Sequence, residues 1–379
     1  MAMNRTETIV FQKLSPPAWL LLSALCVVPA LFLVCYHFLG LFNLKPAGQG
    51  NGLPEMEISE IYVYPIKSLR AVKLSSAIAT AHGFAHDRTF MLLEKTPSTK
   101  PGYKVMSVST HPHMTQFEQE VSLDPSSATE NNRKITVRYL ACGNASKQSS
   151  IDIPLVPSID ALSTLEVTMH NSPTTAYLMP KSYNDWFSTC FGFPVELIYL
   201  GSHRRSPRFN DLPSSPPPSL LKSLFFPKSS SPHTSQTLTF TDCAPYLFCT
   251  TASLSATSAR LTPSTTPLSI TKFRPNIVIS GAPFPWQEDF WARLSIHSSR
   301  TGRDVGVALP HNCVRCSSIN LDYETGKPGT GPEGQVLKKL QGDRRVDRGA
   351  RWSPVFGRLA GPWVDERRDW YAKETSVKL

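Results

Sequence analysis

Residues 58–66 read ISEIYVYPI, an alternation of apolar and polar side chains that is typical of a half-buried β-strand. Comparable short segments recur along the chain, and most are bounded by Gly, Pro, Ser or Asn, which favour turns. They cover residues 89–93, 135–139, 165–169, 196–200, 276–280 and 305–309. This spacing predicts a mainly β fold built from barrels or sandwiches.

Few segments have a helical pattern, and all of them are short. They cover residues 182–190, 251–260 and 334–340, and in the first of them Asn184 or Asp185 is the expected N-cap. The predicted fold class is therefore mainly β with small peripheral helices (α+β).

An uncharged apolar segment precedes these elements. Residues 18–42 contain no Asp, Glu, Lys or Arg and are long enough to cross a hydrocarbon core as one helix. A cleaved secretory signal would have a shorter apolar region and a small-residue cleavage site, and here Tyr36 and His37 occupy that place. An uncleaved transmembrane anchor is favoured. The excess of one positive charge before the span weakly places the N-terminus in the cytosol.

Composition divides the rest of the chain. Residues 47–54, AGQGNGLP, read as a flexible tether, and 16 of the 30 residues from 206 to 235 are Ser or Pro. That composition predicts a disordered loop or linker, with a docking element as the alternative. The predicted organisation is a tail (1–17), the anchor (18–42), a first domain (55–200), the insertion (201–236), a second domain (237–362) and a C-terminal tail (363–379).

The overall composition excludes several classes of protein. With 41% hydrophobic and 10% aromatic residues the chain can bury a real core, which excludes wholesale disorder, collagen and coiled coil. The net charge of +10 is spread along the chain. An anionic ligand, membrane surface or acidic partner explains this charge as well as nucleic acid does, and no nucleic-acid partner is predicted.

Six cysteines lie outside the apolar span, and only Cys313 and Cys316 are close together, as Cys-Val-Arg-Cys. This spacing can bind zinc with a second pair, carry out dithiol redox chemistry at a helix start, or present one thiolate to a metal cofactor. No second pair is evident, and the residues after Cys316 favour loop and strand over helix. The third option fits best by elimination, while a buried structural cysteine is the default for any single one.

Other chemical motifs give little guidance. The sequence has no GxSxG, HExxH, GxxxxGK or well-placed GxGxxG motif, so serine hydrolase, zinc protease and nucleotide hydrolase functions lack a signature. Lys67, Arg88 and Arg274 each lie at or beside a predicted strand boundary in an apolar context. Taken singly, such a residue usually caps a strand end in solvent or pairs with a carboxylate.

Six motifs, taken in order, resemble those of MOSC-domain proteins. Within that family the order and spacing resemble the mitochondrial amidoxime reducing components, which are molybdenum-cofactor enzymes with an N-terminal membrane anchor. The motifs are YPIKSL (64–69), DRTFMLL (87–93), FRPNIVISG (273–281), WQEDFW (286–291), CVRCSSINLDYETG (313–326) and SPVFG (353–357). The resemblance implies an N-terminal MOSC-associated β-barrel followed by a C-terminal MOSC β-barrel.

The resemblance also implies a cofactor, Mo-molybdopterin. The metal is held by a pterin dithiolene and one cysteine, which by position is Cys316, and a soft thiolate suits this metal. The phosphate of the pterin calls for basic groups and backbone N–H groups. Asn276 would hydrogen-bond the pterin or an oxo group. The positions that the resemblance assigns to cofactor binding are Lys67, Ser68, Arg88, Asp242, Cys243, Arg274, Asn276, Val314, Arg315 and Cys316, with Cys316 as metal ligand and catalytic centre.

The implied function is reduction of N-hydroxylated compounds such as amidoximes and hydroxylamines, with nitrite or nitrate as further candidates. Electrons would come from NADH through a flavin reductase and cytochrome b5. Because these donors face the cytosol and a free thiolate needs reducing surroundings, the body is expected in the cytosol with the N-terminus inserted, which overrules the one-charge count above. The implied address is the outer mitochondrial membrane, with the endoplasmic reticulum as the alternative.

Two other functions remain open. MOSC domains also occur at the C-terminus of molybdenum-cofactor sulfurases, but no pyridoxal-phosphate-binding, aminotransferase-like half is evident here. The third reading is a tethered barrel that binds cofactor without turnover.

The chain departs from the family pattern at two places. Where relatives carry Asp-Thr-Ser-Pro, it reads Asp242, Cys243, Ala244, Pro245, which removes two hydroxyls. After residue 357 the family continues with a closing strand, whereas RLAGPWVDERRDWYAKETSVKL is charged and looks helical. Loss of that strand would leave a sheet edge unpaired.

Overall fold

The structure is a computed structural model that describes residues 56–97, 100–122, 133–140, 149–207, 237–261, 267–298, 303–365, 370–371 and 375–378. The chain divides into two units, residues 1–53 and 54–379, and every described residue belongs to the second. The predicted anchor and most of the Ser/Pro-rich insertion lie outside the described residues. No helix within the described ranges is long and apolar enough to cross a membrane.

Strands dominate the described residues, as the alternating segments predict. The strands are β1 (Glu57–Val63), β2 (Val72–Leu74), β3 (Ser76–Thr80), β4 (Gly83–Phe84), β5 (Phe90–Lys95), β6 (Tyr103–Val105), β7 (Phe117–Ser122), β8 (Lys134–Tyr139), β9 (Ser149–Pro154), β10 (Thr164–Met169), β11 (Ser172–Leu178), β12 (Val195–Tyr199), β13 (Tyr246–Thr250), β14 (Ile277–Ser280), β15 (Arg293–Ser298), β16 (Arg303–Ala308), β17 (His311–Val314), β18 (Leu321–Asp322), β19 (Lys327–Pro328), β20 (Val355–Ala360), β21 (Trp363–Asp365), β22 (Trp370–Tyr371) and β23 (Thr375–Lys378).

The described helices are short and peripheral, which confirms the predicted fold class. They are α1 (Lys181–Phe191), α2 (Thr251–Ser258) and α3 (Val336–Gln341). Short 3₁₀ segments cover Pro112–Gln116, Ala259–Leu261, Ile270–Phe273, Gln287–Phe290, Ser317–Asn320 and Pro332–Gln335.

The predicted cap of α1 is wrong. Pro180 occupies the N-cap without a side-chain hydrogen bond, and the helix begins before Asn184. Asn184 instead joins the helix to the neighbouring sheet, because its Oδ1 accepts a hydrogen bond from Leu197 N at 2.8 Å. A polar residue within the first turns can hydrogen-bond a neighbouring element as readily as its own helix.

A six-stranded sheet, in the order β17-β20-β13-β14-β1-β2, underlies the candidate site. Its one parallel pair is β13 with β14, and every other pairing between its strands is antiparallel. The strands β1 and β2 come from the start of the described chain, and the other four come from beyond the insertion. One face packs on a core that includes Phe248, Ile277 and Val307, and the other on a core that includes Phe273, Val278 and Phe356.

The first half of the described chain builds two further sheets. Strands β10-β11-β12-β5-β6 form a five-stranded sheet, and β7-β8-β9 form a three-stranded one. Between them lies a core of buried apolar residues that includes Phe90, Phe117 and Phe187. The ring of Phe117 stacks on that of Phe191 at a centroid distance of 4.7 Å.

The expectation of a helical C-terminal tail is wrong. Strand β21 pairs with β16, β22 pairs with β21, and β23 pairs antiparallel with β3, so that Thr375 lies opposite Ala79. Charged side chains are compatible with strands at a sheet edge, where one face meets water. The tail therefore supplies strands, and β23 covers an edge of β3 that would otherwise be unpaired.

Candidate functional site

Three loop segments meet around the ring of Tyr64, which is fully buried. The guanidinium carbons of Arg88 and Arg274 lie over this ring, at 4.2 and 4.3 Å from its centroid. The hydroxyl of Tyr64 donates to Pro275 O at 3.1 Å. Burial raises the pKa of this hydroxyl, so it stays protonated and remains a donor. One aromatic ring thus contacts the guanidinium groups of two residues that are predicted to bind the cofactor.

The backbone at this meeting point is strained. Ser68, Arg88 and Arg274 all have positive φ values, of 72°, 50° and 56°. L-residues adopt such values only when the surrounding structure imposes them, and they cluster at binding sites. The Arg274 side chain is fixed by a hydrogen bond from Nη1 to Leu69 O at 3.0 Å.

Asp87 organises the centre of the cluster, a role that no sequence pattern indicated. Its side chain is fully buried, accepts a hydrogen bond from Tyr64 N at 2.8 Å, and pairs with Arg88. It also accepts from Asn276 Nδ2 at 3.1 Å. The carboxylate neutralises one of the two guanidinium groups over the tyrosine ring.

Asn276 is placed at the cluster but points into the protein. It is 2% exposed, its Oδ1 accepts from Arg88 Nη1 and Leu247 N, and its Nδ2 donates to Tyr62 O and Asp87. These bonds use the hydrogen-bonding capacity of the amide. The structure gives Asn276 a positioning role, and its direct contact with a pterin or oxo group stays a prediction.

Lys67, like Arg88, is a cation of the cluster that pairs with a carboxylate. It is 6% exposed, donates to Phe240 O at 3.0 Å and pairs with Asp242. Burial lowers the pKa of Lys67 despite this partner. Desolvation acts to raise the pKa of Asp242, but Lys67 and then His170, whose Nε2 lies 3.1 Å from Asp242 Oδ1, hold it well below its usual range.

Arg205 is a buried cation that sequence reasoning missed, because it falls inside the predicted insertion. It is 1% exposed, and among the described residues its guanidinium donates only to backbone carbonyls, including Thr239 O at 3.0 Å and Asp242 O at 2.9 Å. A β-bridge to Leu238 fixes its backbone. No sequence signal marks this residue, since the neighbouring Ser and Pro residues suggest a linker.

The Cys-Val-Arg-Cys segment leaves the end of β17 and opens a 3₁₀ turn. Cys316 is exposed and precedes that turn, with its Sγ 3.2 Å from Ser318 Oγ. Val314 is 44% exposed, whereas Cys313 is partly buried and desolvation raises the pKa of its thiol. Of the two cysteines, Cys316 presents its sulfur to the outside.

Arg315 connects this segment to the tyrosine cluster. Its Nη1 donates to Phe273 O at 2.8 Å, next to Arg274, and its Nε donates to Phe356 O at 2.9 Å. The rings of Phe273 and Phe356 stack with centroids 3.7 Å apart. Arg315 therefore brings the strand end that carries Cys316 to the loop that carries Arg274.

Cationic charge exceeds anionic charge in this region. Within the described part of the chain, Lys67 and Arg88 have carboxylate partners, whereas no carboxylate lies within 4.0 Å of Arg205, Arg274 or Arg315. Cations at low exposure without counter-ions are costly unless an anion binds. The residues present thus fit an anionic ligand, and an exposed thiol beside them fits a soft metal.

The remaining predicted residues lie at the margins of this arrangement. Ser68 is 6% exposed beside Lys67, and Cys243 is partly buried against the core that includes Phe273. Among the described residues, no group of three or more His, Cys, Asp or Glu side chains could hold a metal ion together.

Two family models match the chain. The one described as "MOSC N-terminal beta barrel domain" matches residues 55–194, and the one described as "MOSC domain" matches residues 235–368. Together they account for most of the described residues.

The curated relatives carry two different names. Molybdenum cofactor sulfurase of Oryza sativa subsp. japonica is 23% identical over 306 residues, which is 79% of this chain and 31% of the relative. Mitochondrial amidoxime-reducing component 1 of Homo sapiens is 24% identical over 310 residues, which is 79% of this chain and 77% of the relative. Molybdenum cofactor sulfurase of Homo sapiens is 24% identical over 315 residues, or 30% of its length. The chain thus spans about a third of the sulfurases and about three quarters of the amidoxime-reducing component.

Proposed function

The chain belongs to the family of MOSC-domain proteins, and we propose that within this family it is a molybdenum-cofactor oxidoreductase that reduces N-hydroxylated compounds. The observation that carries the proposal is the exposed thiol of Cys316 beside guanidinium groups that have no carboxylate partner. A soft metal ligand and an anion site next to each other are what a phosphate-bearing metal cofactor requires.

Each residue of the site has a separate role in this proposal. Arg274 and Arg315 bind the anionic part of the cofactor, and the buried Arg205 adds positive charge next to the backbone of Asp242. Lys67 and Arg88 fix the segments around the site through their ion pairs with Asp242 and Asp87. Tyr64 and Asn276 position these cations through ring and amide contacts. Cys316 supplies the protein ligand to the metal, and Ser318 is placed to hydrogen-bond its sulfur.

The cofactor, when bound, supplies the two-electron redox chemistry that no protein side chain here can perform. The overall conversion takes two electrons and two protons, breaks the N–O bond, and yields the N–H compound and water. The electrons come from NADH through its flavin reductase and cytochrome b5, which delivers them one at a time. Residues 18–42 anchor the chain in a membrane, the outer mitochondrial membrane or the endoplasmic reticulum, with the described body in the cytosol.

The reductase is the first candidate because the six ordered motifs of the sequence resemble those of the amidoxime reducing components, and the match covers about three quarters of one such protein. Sulfur transfer is kept as the second candidate because sulfurases match at the same level of identity. A loaded protein that reduces benzamidoxime favours the first, and one that instead restores a sulfur-depleted molybdenum oxidase favours the second.

The proposal is tested by the metal content of two matched variants. The full chain is purified in detergent from a cofactor-producing host, and molybdenum is measured by elemental analysis and pterin by fluorescence. We expect near-stoichiometric molybdenum in the wild type and in Cys313→Ser, and its loss in Cys316→Ser. Equal molybdenum in Cys316→Ser and the wild type would overturn the assignment of the ligand.

A further inference from the structure

A loop attached to the Cys316 segment forms the rim of the site. Val355 N donates to Arg344 O at 2.8 Å, which closes the loop, and Arg315 N donates to Pro354 O at 2.8 Å. The register of β17 and β20 places Val314 opposite Val355. The loop therefore lies beside the strand end from which Cys316 emerges.

The outward-facing charge of this rim is positive. Residues 336–353 contain six basic and two acidic side chains. Of the basic ones, Arg344 pairs with Asp289. The others are exposed and have no carboxylate within 4.0 Å in the described ranges: Lys338, Lys339, Arg345, Arg348 and Arg351. We call these five residues, together with Trp352, the basic rim.

Large apolar side chains are exposed in and beside the basic rim. Trp352 is 80% exposed, and Val346 is 46% exposed in the same loop. Phe290 is 85% exposed and directly follows Asp289, the partner of Arg344. Exposed aromatic residues among arginines are the composition of protein-interface hot spots, and large exposed apolar groups of this kind mark interaction sites.

We propose that the basic rim is the docking surface for an acidic one-electron carrier protein. This inference rests on the proposed function, in which two encounters deliver two electrons that, with two protons from water, convert N–OH to N–H and water. Electron delivery needs close approach to the metal, and the rim adjoins the proposed metal ligand. A bilayer seated here would instead cover the exposed Cys316 that a dissolved substrate must approach.

The test compares two triple charge reversals in the full-length, cofactor-loaded protein. The first is Arg345→Glu/Arg348→Glu/Arg351→Glu in the basic rim. The control is Lys104→Glu/Lys134→Glu/Arg138→Glu, which changes net charge equally on exposed positions of β6 and β8. Reduction of benzamidoxime is driven either by cytochrome b5 with its reductase or by reduced methyl viologen, a small donor that needs no docking surface.

We expect the rim variant to lose about 10- to 100-fold in kcat/KM for cytochrome b5 at low salt, because electrostatic steering contributes that much to association. Its viologen-driven rate and molybdenum content should equal the wild type, and the control should keep both rates. Calorimetric binding of cytochrome b5 should weaken in the rim variant and in Trp352→Ala.

Three results would overturn the inference. The first is unchanged binding of cytochrome b5 by the rim variant. Calorimetry measures this binding independently of turnover, so the inference is tested even if the wild type does not reduce benzamidoxime and the proposed function fails. The second is loss of the viologen-driven rate together with molybdenum, which would make the rim structural. The third is protection of residues 342–353 from hydrogen exchange by nanodiscs containing 30% phosphatidylserine but not by cytochrome b5, which would assign the rim to a membrane surface.

Discussion

Two aromatic rings in the described part of the chain each contact two guanidinium groups, and the two arrangements differ in their counter-ions. Over Tyr64 lie Arg88 and Arg274, of which only Arg88 has a carboxylate partner within the described residues. Over Trp286 lie Arg260 and Arg344. These two pair with Asp343 and Asp289, respectively. The same stacking motif has balanced charge at the tryptophan and an excess of positive charge at the tyrosine, which fits a structural contact at Trp286 and the proposed anion site at Tyr64.

The largest effect on stability is expected at the tryptophan. Arg344 and Asp289 are 6% and 7% exposed, so Arg344→Ala leaves a buried carboxylate without its partner. We expect a loss of about 3–5 kcal/mol in the free energy of unfolding, measured by urea denaturation. The control is the double variant Arg344→Met/Asp289→Asn, which removes both charges and should recover much of that loss. Equal losses in the single and double variants would show that the ion pair is not the cause.

At the tyrosine, Arg274→Ala should act on ligand retention. It removes one hydrogen bond and one ring contact, so the cofactor-free protein should lose only about 1 kcal/mol. The content of phosphate-bearing pterin, measured by fluorescence after purification, should fall severalfold, and Arg274→Lys should retain an intermediate amount. If Arg274→Ala instead destabilises the cofactor-free protein as much as Arg344→Ala does and leaves the pterin content unchanged, then the Tyr64 cluster is a structural contact like the one at Trp286.

A pH dependence is expected from Glu288, which neighbours the tryptophan site. Its side chain is fully buried, and desolvation raises its pKa above the ordinary 4.5 despite hydrogen bonds from Ser253 and Thr250. A raised native pKa means that the folded protein binds the proton more tightly, so this stability is present at low pH and is lost as pH rises through the native value. Relative to wild type, Glu288→Gln should therefore gain stability between pH 4 and pH 8. Parallel stability curves for the two proteins across that range would contradict the raised pKa.

The smallest effect is expected for the outer arginine at the tryptophan. Arg260 pairs with Asp343, whose side chain is 61% exposed. Asp343→Asn should cost about 0.2–1 kcal/mol, and the loss should shrink further in 1 M NaCl. A loss as large as that of Arg344→Ala would show that solvent exposure does not explain a difference in energy between the Arg260–Asp343 and Arg344–Asp289 ion pairs.

Local sequence patterns predicted seven of the strands, and each of the seven predicted segments overlaps a strand of the described structure. Residues 135–139 and 165–169 alternate apolar and polar side chains, and both fall within strands, β8 and β10. The C-terminal tail misled the same reasoning because its charged residues suggest a helix, whereas β23 is specified by pairing with β3, about 300 residues earlier. Strand pairing over such a distance leaves no periodic signal in the sequence.

The candidate site was predictable only in part, for a related reason. Motif resemblance identified Arg88, Arg274 and Cys316, but it gave no information on how they are held. Asp87 bonds to Asn276, 189 positions away, and this contact leaves no local mark at either residue. Arg205 stands among residues whose composition predicts a linker, and only the bridge to Leu238 shows that its backbone is part of the fold.

Strand β1 lies between β2 and β14, so during synthesis it must wait for a partner encoded more than 200 residues later. At a synthesis rate of 5–20 residues per second this interval is roughly 10–40 s. During it, β1 exposes Ile61 and Val63, which are almost fully buried in the finished protein. The nascent chain is thus a natural client for chaperones that bind extended apolar segments. Cutting the gene at the insertion would give two fragments that each lack part of the same sheet.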